Sequence, residues 1–325
     1  MKTDLSMKVS TLLGMMLLAV LSAAVMGSAA KSESEIPVYA LEGMPHEVYY
    51  AAPRPLTEGF DGEVAVIMIH GWGSGVTVPK EQVVLQEALS GAYVLSPMYP
   101  RAQIMERYGV ERDGRAVWND SWPKDLTIPG VPGDDWRGGG DANGTELSSY
   151  DVVDTLFARL SDRRLYPNLK KIALVGFSAG GQFVGRYVAS GKGEVRDGIT
   201  LKYAAFSPST YLIPDPEDIW HYGLKGRPRY SADLSDGQIM ENLRTRKCMH
   251  GCGSIDTLEK SLDKTVSAMK QGENRYKRFL NFRDLVSRDS LWNASVTFHT
   301  FDSIGHAAVS AYVDPVFLDY ILGEI

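Results

Sequence analysis

Ser178 stands in KIALVGFSAGGQFVGRYVAS, residues 171–190, where a strand-like apolar run ends on one hydroxyl between glycines and a helical pattern begins. A serine hydroxyl attacks a carbonyl only when a base takes its proton, and that base works best when a carboxylate fixes its tautomer and stabilises the cation. Serine, histidine and acid together would do acyl transfer through a covalent ester on the serine. A bare Gly-x-Ser-x-Gly pattern is weak, and an ordinary turn serine is the competing reading. Its setting strengthens it. Gly176 and Gly180 have no Cβ, so strand and helix can close around a strained Ser178 and present its oxygen at a helix N-terminus.

An attacked carbonyl also needs donors for the oxygen that gains charge. VAVIMIHGWGSG, residues 64–75, is a strand running into a glycine loop. The expected donors are the backbone amides of Trp72 and Ala179, with Gly73 competing for the first place. His70 reads as a scaffold for that loop.

The base is expected to follow the serine in the chain. His46 and His70 precede it, and His299 alternates within a strand. His306, in FDSIGHAAVSAY, lies between the last strand and the final helix, which makes it the candidate; His221 and His250 are the alternatives. The acid must fall between Ser178 and His306 at the same sheet edge. Asp256, after RKCMHGC in Gly-Ser-Ile-Asp-Thr, is the candidate, and Asp215 and Asp218 in YLIPDPEDIW are its rivals.

Placing these residues requires strands, and six runs read as such: 64–70, 92–97, 171–177, 201–207, 246–252 and 295–301. Unbroken apolar runs suit a parallel sheet covered on both faces. Helical patterns lie between them at 80–89, 148–160, 181–189, 261–271 and 307–322, so the fold class is α/β, a doubly wound, mostly parallel sheet. Residues 99–147 and 208–243 are too long for simple connections and rich in aromatics, including Trp118, Trp122, Trp136 and Trp220. They are expected to form a lid or pocket wall, their aromatics either facing substrate or filling the loops' own cores.

The N-terminus reads differently. Lys2 and Lys8 precede the apolar TLLGMMLLAVLSAAVMG and then Ser28-Ala29-Ala30, the order of an export signal. The expected division is a signal peptide at 1–30, a lead-in along the surface at 31–62 and the catalytic domain at 63–325, in an exported protein. An uncleaved membrane anchor is the alternative for the first segment. The net charge of −6 offers no basic field for nucleic acid. Cys248 and Cys252 would stand about 13 Å apart if extended, beyond disulfide reach. With His250 they share a strand face, which allows a metal reading, but core filling is preferred because no fourth ligand is near. Neither a phosphate loop nor a dinucleotide fingerprint occurs, so no cofactor is implied.

HGWGSG, DDWRGGG, SSYDVVDTL, YPNLKKIALVGFSAGGQFVGRY, SPSTYL, WHYGL, Gly253 to Thr257 and SAMKQGENRYKR together resemble the α/β-hydrolase superfamily, and within it an uncharacterised exported or membrane-associated group. The resemblance spans roughly residues 64–312. It implies an α/β-hydrolase fold and puts Ser178, Asp256 and His306 on the triad positions. Phe177 departs from it where His is common, and Ala307 where an acid is common. The implied activity is hydrolysis of a small-molecule or polymer ester. An amidase or peptidase with the same triad is the alternative, and a non-catalytic binding module the reading from another class.

Overall fold

A computed structural model describes residues 36–119 and 135–323. The proposed signal at 1–30, the start of the lead-in and Trp122 lie outside the described residues. Eight strands form one sheet in the order β1-β2-β4-β3-β5-β6-β7-β8. They are β1 (Val38–Ala40), β2 (Tyr49–Ala51), β3 (Val64–Ile69), β4 (Tyr93–Pro97), β5 (Lys171–Phe177), β6 (Thr200–Phe206), β7 (Cys248–Gly253) and β8 (Val296–Phe301). From β4 to β8 all neighbours are parallel, while β1 and β2 add antiparallel at one edge.

Burial explains the apolar runs. Along β3, Ala65, Ile67 and Ile69 enter one core and Val66 and Met68 the other; on β5, Ile172 and Leu174 oppose Ala173, Val175 and Phe177. Side chains alternate across a strand, so a sheet buried on both faces needs every position apolar. One face is covered by α3 (Ser149–Leu160) and α4 (Ala179–Ser190), the other by α1 (Lys80–Ala88), α9 (Ala308–Tyr312) and α10 (Pro315–Leu322).

The six strands read from sequence match β3 to β8 within two residues at each end. The lead-in differs from a surface tether: Tyr50, Ala51 and Ala52 are buried, and β1 and β2 extend the sheet. Strands of three residues are too short to show a period. The helical pattern at 307–322 divides into α9 and α10, because Pro315 lacks an N–H and opens a new helix capped by the Asp314 carboxylate. The pattern at 261–271 is helical only over α6 (Val266–Gln271). Four further helices lie outside the helical patterns read from sequence: α2 (Ala102–Tyr108), α5 (Asp236–Thr245), α7 (Arg275–Val286) and α8 (Ser290–Ser295). No helix among the described residues is long and apolar enough to cross a membrane.

The chain leaves β3 for β4 on one side, while β5 leads to β6 on the other. Such a switch point opens a crevice at the C-terminal strand ends. The glycine loop after β3 and Ser178 after β5 both lie there.

Candidate active site

Ser178 is the residue between β5 and α4, at φ 57° and ψ −112°, a left-handed conformation that side chains avoid. The glycines around it are required by contact. A Cβ on Gly176 would lie 2.3 Å from the Gly180 carbonyl carbon, and one on Gly180 would lie 2.2 Å from the Ile69 oxygen. Ala179 opens α4, and the first amides of a helix have no acceptor within it.

The imidazole of His306, past β8, approaches this serine: Nε2 lies 2.9 Å from Ser178 Oγ and Nδ1 2.7 Å from Asp256 Oδ2. Asp256 is fully buried. The loops carrying acid and base cross closely: a Cβ on Gly253 would stand 2.1 Å from the Ile304 oxygen. Ile255 N–H donates to that oxygen at 3.1 Å, and Ser303 N–H to Ser254 Oγ at 2.8 Å. The Phe177 ring packs against His306, with 4.8 Å between ring centroids.

The rival residues are elsewhere. The Asp215 carboxylate accepts from Glu217 N–H and that of Asp218 from Ser267 Oγ. His221 and His250 are buried, and burial holds both imidazoles neutral, His250 at about 3. Cys248 and Cys252 are free and buried, and Cys252 is pushed up to about 12. Among the described residues no three His, Cys, Asp or Glu side chains form a metal-binding group.

Trp72 and Gly73 lie in the loop after β3. His70 Nδ1 donates to the Gly71 oxygen at 2.8 Å, and His70 Nε2 accepts from Tyr99 N–H at 3.0 Å, tying the end of β3 to that of β4. Burial lowers the His70 pKa to about 4, so the ring is a neutral strut. Arg101 Nη2 donates to the Trp72 oxygen at 2.7 Å. With both carbonyls tied, trans-peptide planarity sets the directions of the Trp72 and Gly73 amides. The Arg101 and Arg137 guanidinium carbons lie 3.5 and 4.2 Å from the Trp72 ring centroid, and Arg137 pairs with buried Asp135 at 2.5 Å.

Among the described residues of the long insertions, none walls the space over Ser178. Trp136 packs on His70 at 4.8 Å and stacks on Tyr99 at 5.4 Å; Trp118 and Trp220 are also buried. None of the three lines the cleft, so their rings fill the cores of the loops that carry them. A cleft of about 570 Å³ opens over Ser178, walled by Trp72, Phe177, Leu258, Lys260, Val309 and Tyr312 among others. The supports Arg101 and Arg137 had no assigned role in the sequence, although Arg137 falls within DDWRGGG. Arginine in a polar stretch carries no period that marks it as buried.

No family model and no curated protein matches the chain. Solved structures do. LpqC, a poly(3-hydroxybutyrate) depolymerase from Bordetella parapertussis, is similar at TM-score 0.61 and 18% identity, over 89% of each chain. Poly(aspartic acid) hydrolase-1 from Sphingomonas sp. KT-1 is similar at 0.60 and 20%, over 89% of this chain and 98% of its own. A thermophilic esterase from the Planctomycetes species Thermogutta terrifontis is similar at 0.50 and 11%, over 91% and 97%. With its mostly parallel eight-stranded sheet, the chain has the α/β-hydrolase fold.

Proposed function

We propose that this protein is an exported serine hydrolase that cleaves carboxylic esters by way of an acyl-enzyme. The observation that carries the reading is the continuous hydrogen-bonded row from Ser178 Oγ through His306 to Asp256 Oδ2, with steps of 2.9 and 2.7 Å. His306 Nε2 takes the Ser178 proton as Oγ bonds to the substrate carbonyl carbon. The carbonyl oxygen gains the charge and is held by the amides of Ala179 and Trp72 or Gly73. Collapse breaks the bond to the leaving alkoxide, which receives the proton from His306. Water then repeats the sequence with His306 as base, freeing the acid and restoring Ser178. Asp256 keeps Nδ1 protonated and stabilises the imidazolium.

Esters are favoured over amides because an alkoxide asks less of the protonation step than an amine. The cleft has mostly apolar walls, which suits an apolar acyl or alcohol group, and its size admits a small ester or the end of a polymer. Export is supported by the charged, apolar and small-residue succession of residues 1–30. The test assays purified protein on matched nitrophenyl esters and nitroanilides of several acyl lengths. Ester turnover well above anilide turnover is expected; turnover of neither by folded protein contradicts the proposal.

A further inference from the structure

Asp256 has two carboxylate oxygens, and His306 uses only Oδ2. Oδ1 is buried with no hydrogen-bond partner. The cation facing it is Arg275, at the start of α7, with Nη1 at 3.8 Å from Oδ1 and both side chains fully buried. A carboxylate removed from water needs compensating charge or hydrogen bonds. At 3.8 Å the contact is too long for a hydrogen bond and acts through charge.

Arg275 is held in place. Its Nη1 donates to the Leu258 oxygen at 3.2 Å, and its Nη2 to those of Lys260 and Ser261 at 3.1 and 2.8 Å. These carbonyls belong to the loop that follows Asp256, whose Leu258, Lys260 and Ser261 wall the cleft. Tyr276 N–H also donates to the Asp256 backbone oxygen at 3.2 Å. One guanidinium thus faces the acid and gathers the wall beside the nucleophile. A planar fork can reach three carbonyls at once, and an ammonium on a flexible stem cannot match that geometry.

We infer that Arg275 is a positioning residue of the hydrolytic site, compensating the Asp256 charge at the oxygen His306 leaves free and fixing the 257–261 wall. This rests on the reading of Ser178, His306 and Asp256 as a triad. The other ionisable groups near the acid are Cys252 and Tyr211, both kept neutral by burial. Arg278 neighbours Arg275 and donates to the Ser209, Gly272 and Asp263 carbonyls, while Lys80, Glu81 and Lys260 stand on the cleft walls.

The sign of the effect follows. Arg275 attracts the carboxylate and repels a proton on His306, so removing its charge leaves the carboxylate to the imidazole alone and favours the imidazolium. The base then stays protonated to higher pH. In Arg275→Gln the acid limb of the kcat/KM profile on one ester should move up by about one pH unit, with kcat down about tenfold. Arg275→Lys keeps the charge and loses the fork, so its limb should stay near wild type while KM rises.

A folded Arg275→Gln with a wild-type limb and kcat overturns the inference, whatever happens to its melting temperature. If circular dichroism shows that variant unfolded, Arg275→Lys decides: a rise in KM with the limb in place supports the role, and an unchanged KM or a limb displaced by a full unit overturns it. Ser178→Ala, assayed alongside, separates the two claims. Turnover by Ser178→Ala means the triad reading has failed; an inert Ser178→Ala with an unmoved Arg275→Gln limb means that only Arg275 was misread.

Discussion

A non-glycine residue at φ 57° and ψ −112°, as Ser178 is, carries strain of about 1–3 kcal/mol. Strain of that size persists only where neighbours fix the geometry, and here the elbow glycines and the Phe206 oxygen, which accepts from Ser178 N–H at 2.8 Å, do so. The acid tests the residue-scale account most sharply. Of the three candidate carboxylates, Asp256 is the one that reaches His306, so Asp256→Asn should lower kcat by about 10⁴, because the wrong tautomer is favoured and the imidazolium loses its partner. Asp215→Asn and Asp218→Asn should each change kcat by less than about tenfold, since the Asp215 carboxylate holds a local turn and that of Asp218 ties to Ser267, both away from His306. Three variants assayed on one ester, each checked for folding, give the answer; a crippled Asp218→Asn beside a near-normal Asp256→Asn contradicts the assignment. Ser178, Asp256 and His306 were legible because each ends or follows a recognisable strand. Arg275 was not, since Arg275 and Arg278 in NRYKR are both buried and nothing in that stretch says which one faces Asp256.

At the scale of elements, the elbow works only if β3, β5 and α4 approach more closely than side chains allow. Gly180→Ala would place a methyl 2.2 Å from the Ile69 oxygen, where backbone has to yield. Overpacking of this kind costs about 1–3 kcal/mol or more, and here it also displaces the glycine loop relative to Ser178. Gly180→Ala should therefore lower the urea midpoint and cut kcat more than stability loss alone explains; wild-type values for both contradict the packing argument. The central strands were readable because a sheet buried on both faces forces unbroken apolar runs. The insertions were not, because their rings serve two purposes with one composition. The tryptophans Trp118 and Trp136 pack behind the glycine loop after β3, through Tyr99 and His70, and only their neighbours in space distinguish that from lining a pocket.

Across the whole molecule, three imidazoles are buried in the neutral form. Burial lowers His70 to about 4 and His250 to about 3, and His221 well below its ordinary value. Unfolding returns each to a free value of about 6.5, so between these limits the unfolded chain binds more protons. Their contribution is intact above about pH 6.5 and is lost as pH falls toward 4 and 3, up to about 2–3 kcal/mol per histidine by pH 4.5. The urea midpoint should thus drop between pH 7 and 4.5. His250 packs among Tyr211, Phe282 and Phe298, so His250→Leu keeps the site apolar and should show a smaller drop. An identical drop in variant and wild type contradicts the role given to that imidazole.

If Ser178 is a nucleophile activated by His306, a covalent probe reports it without knowledge of the substrate. Purified protein is treated with a fluorophosphonate near neutral pH, digested, and the adduct located by mass spectrometry. One adduct is expected, on Ser178, with labelling abolished in Ser178→Ala and slowed by orders of magnitude in His306→Ala. Undiminished labelling of Ser178→Ala, or no labelling of folded wild type, contradicts the account.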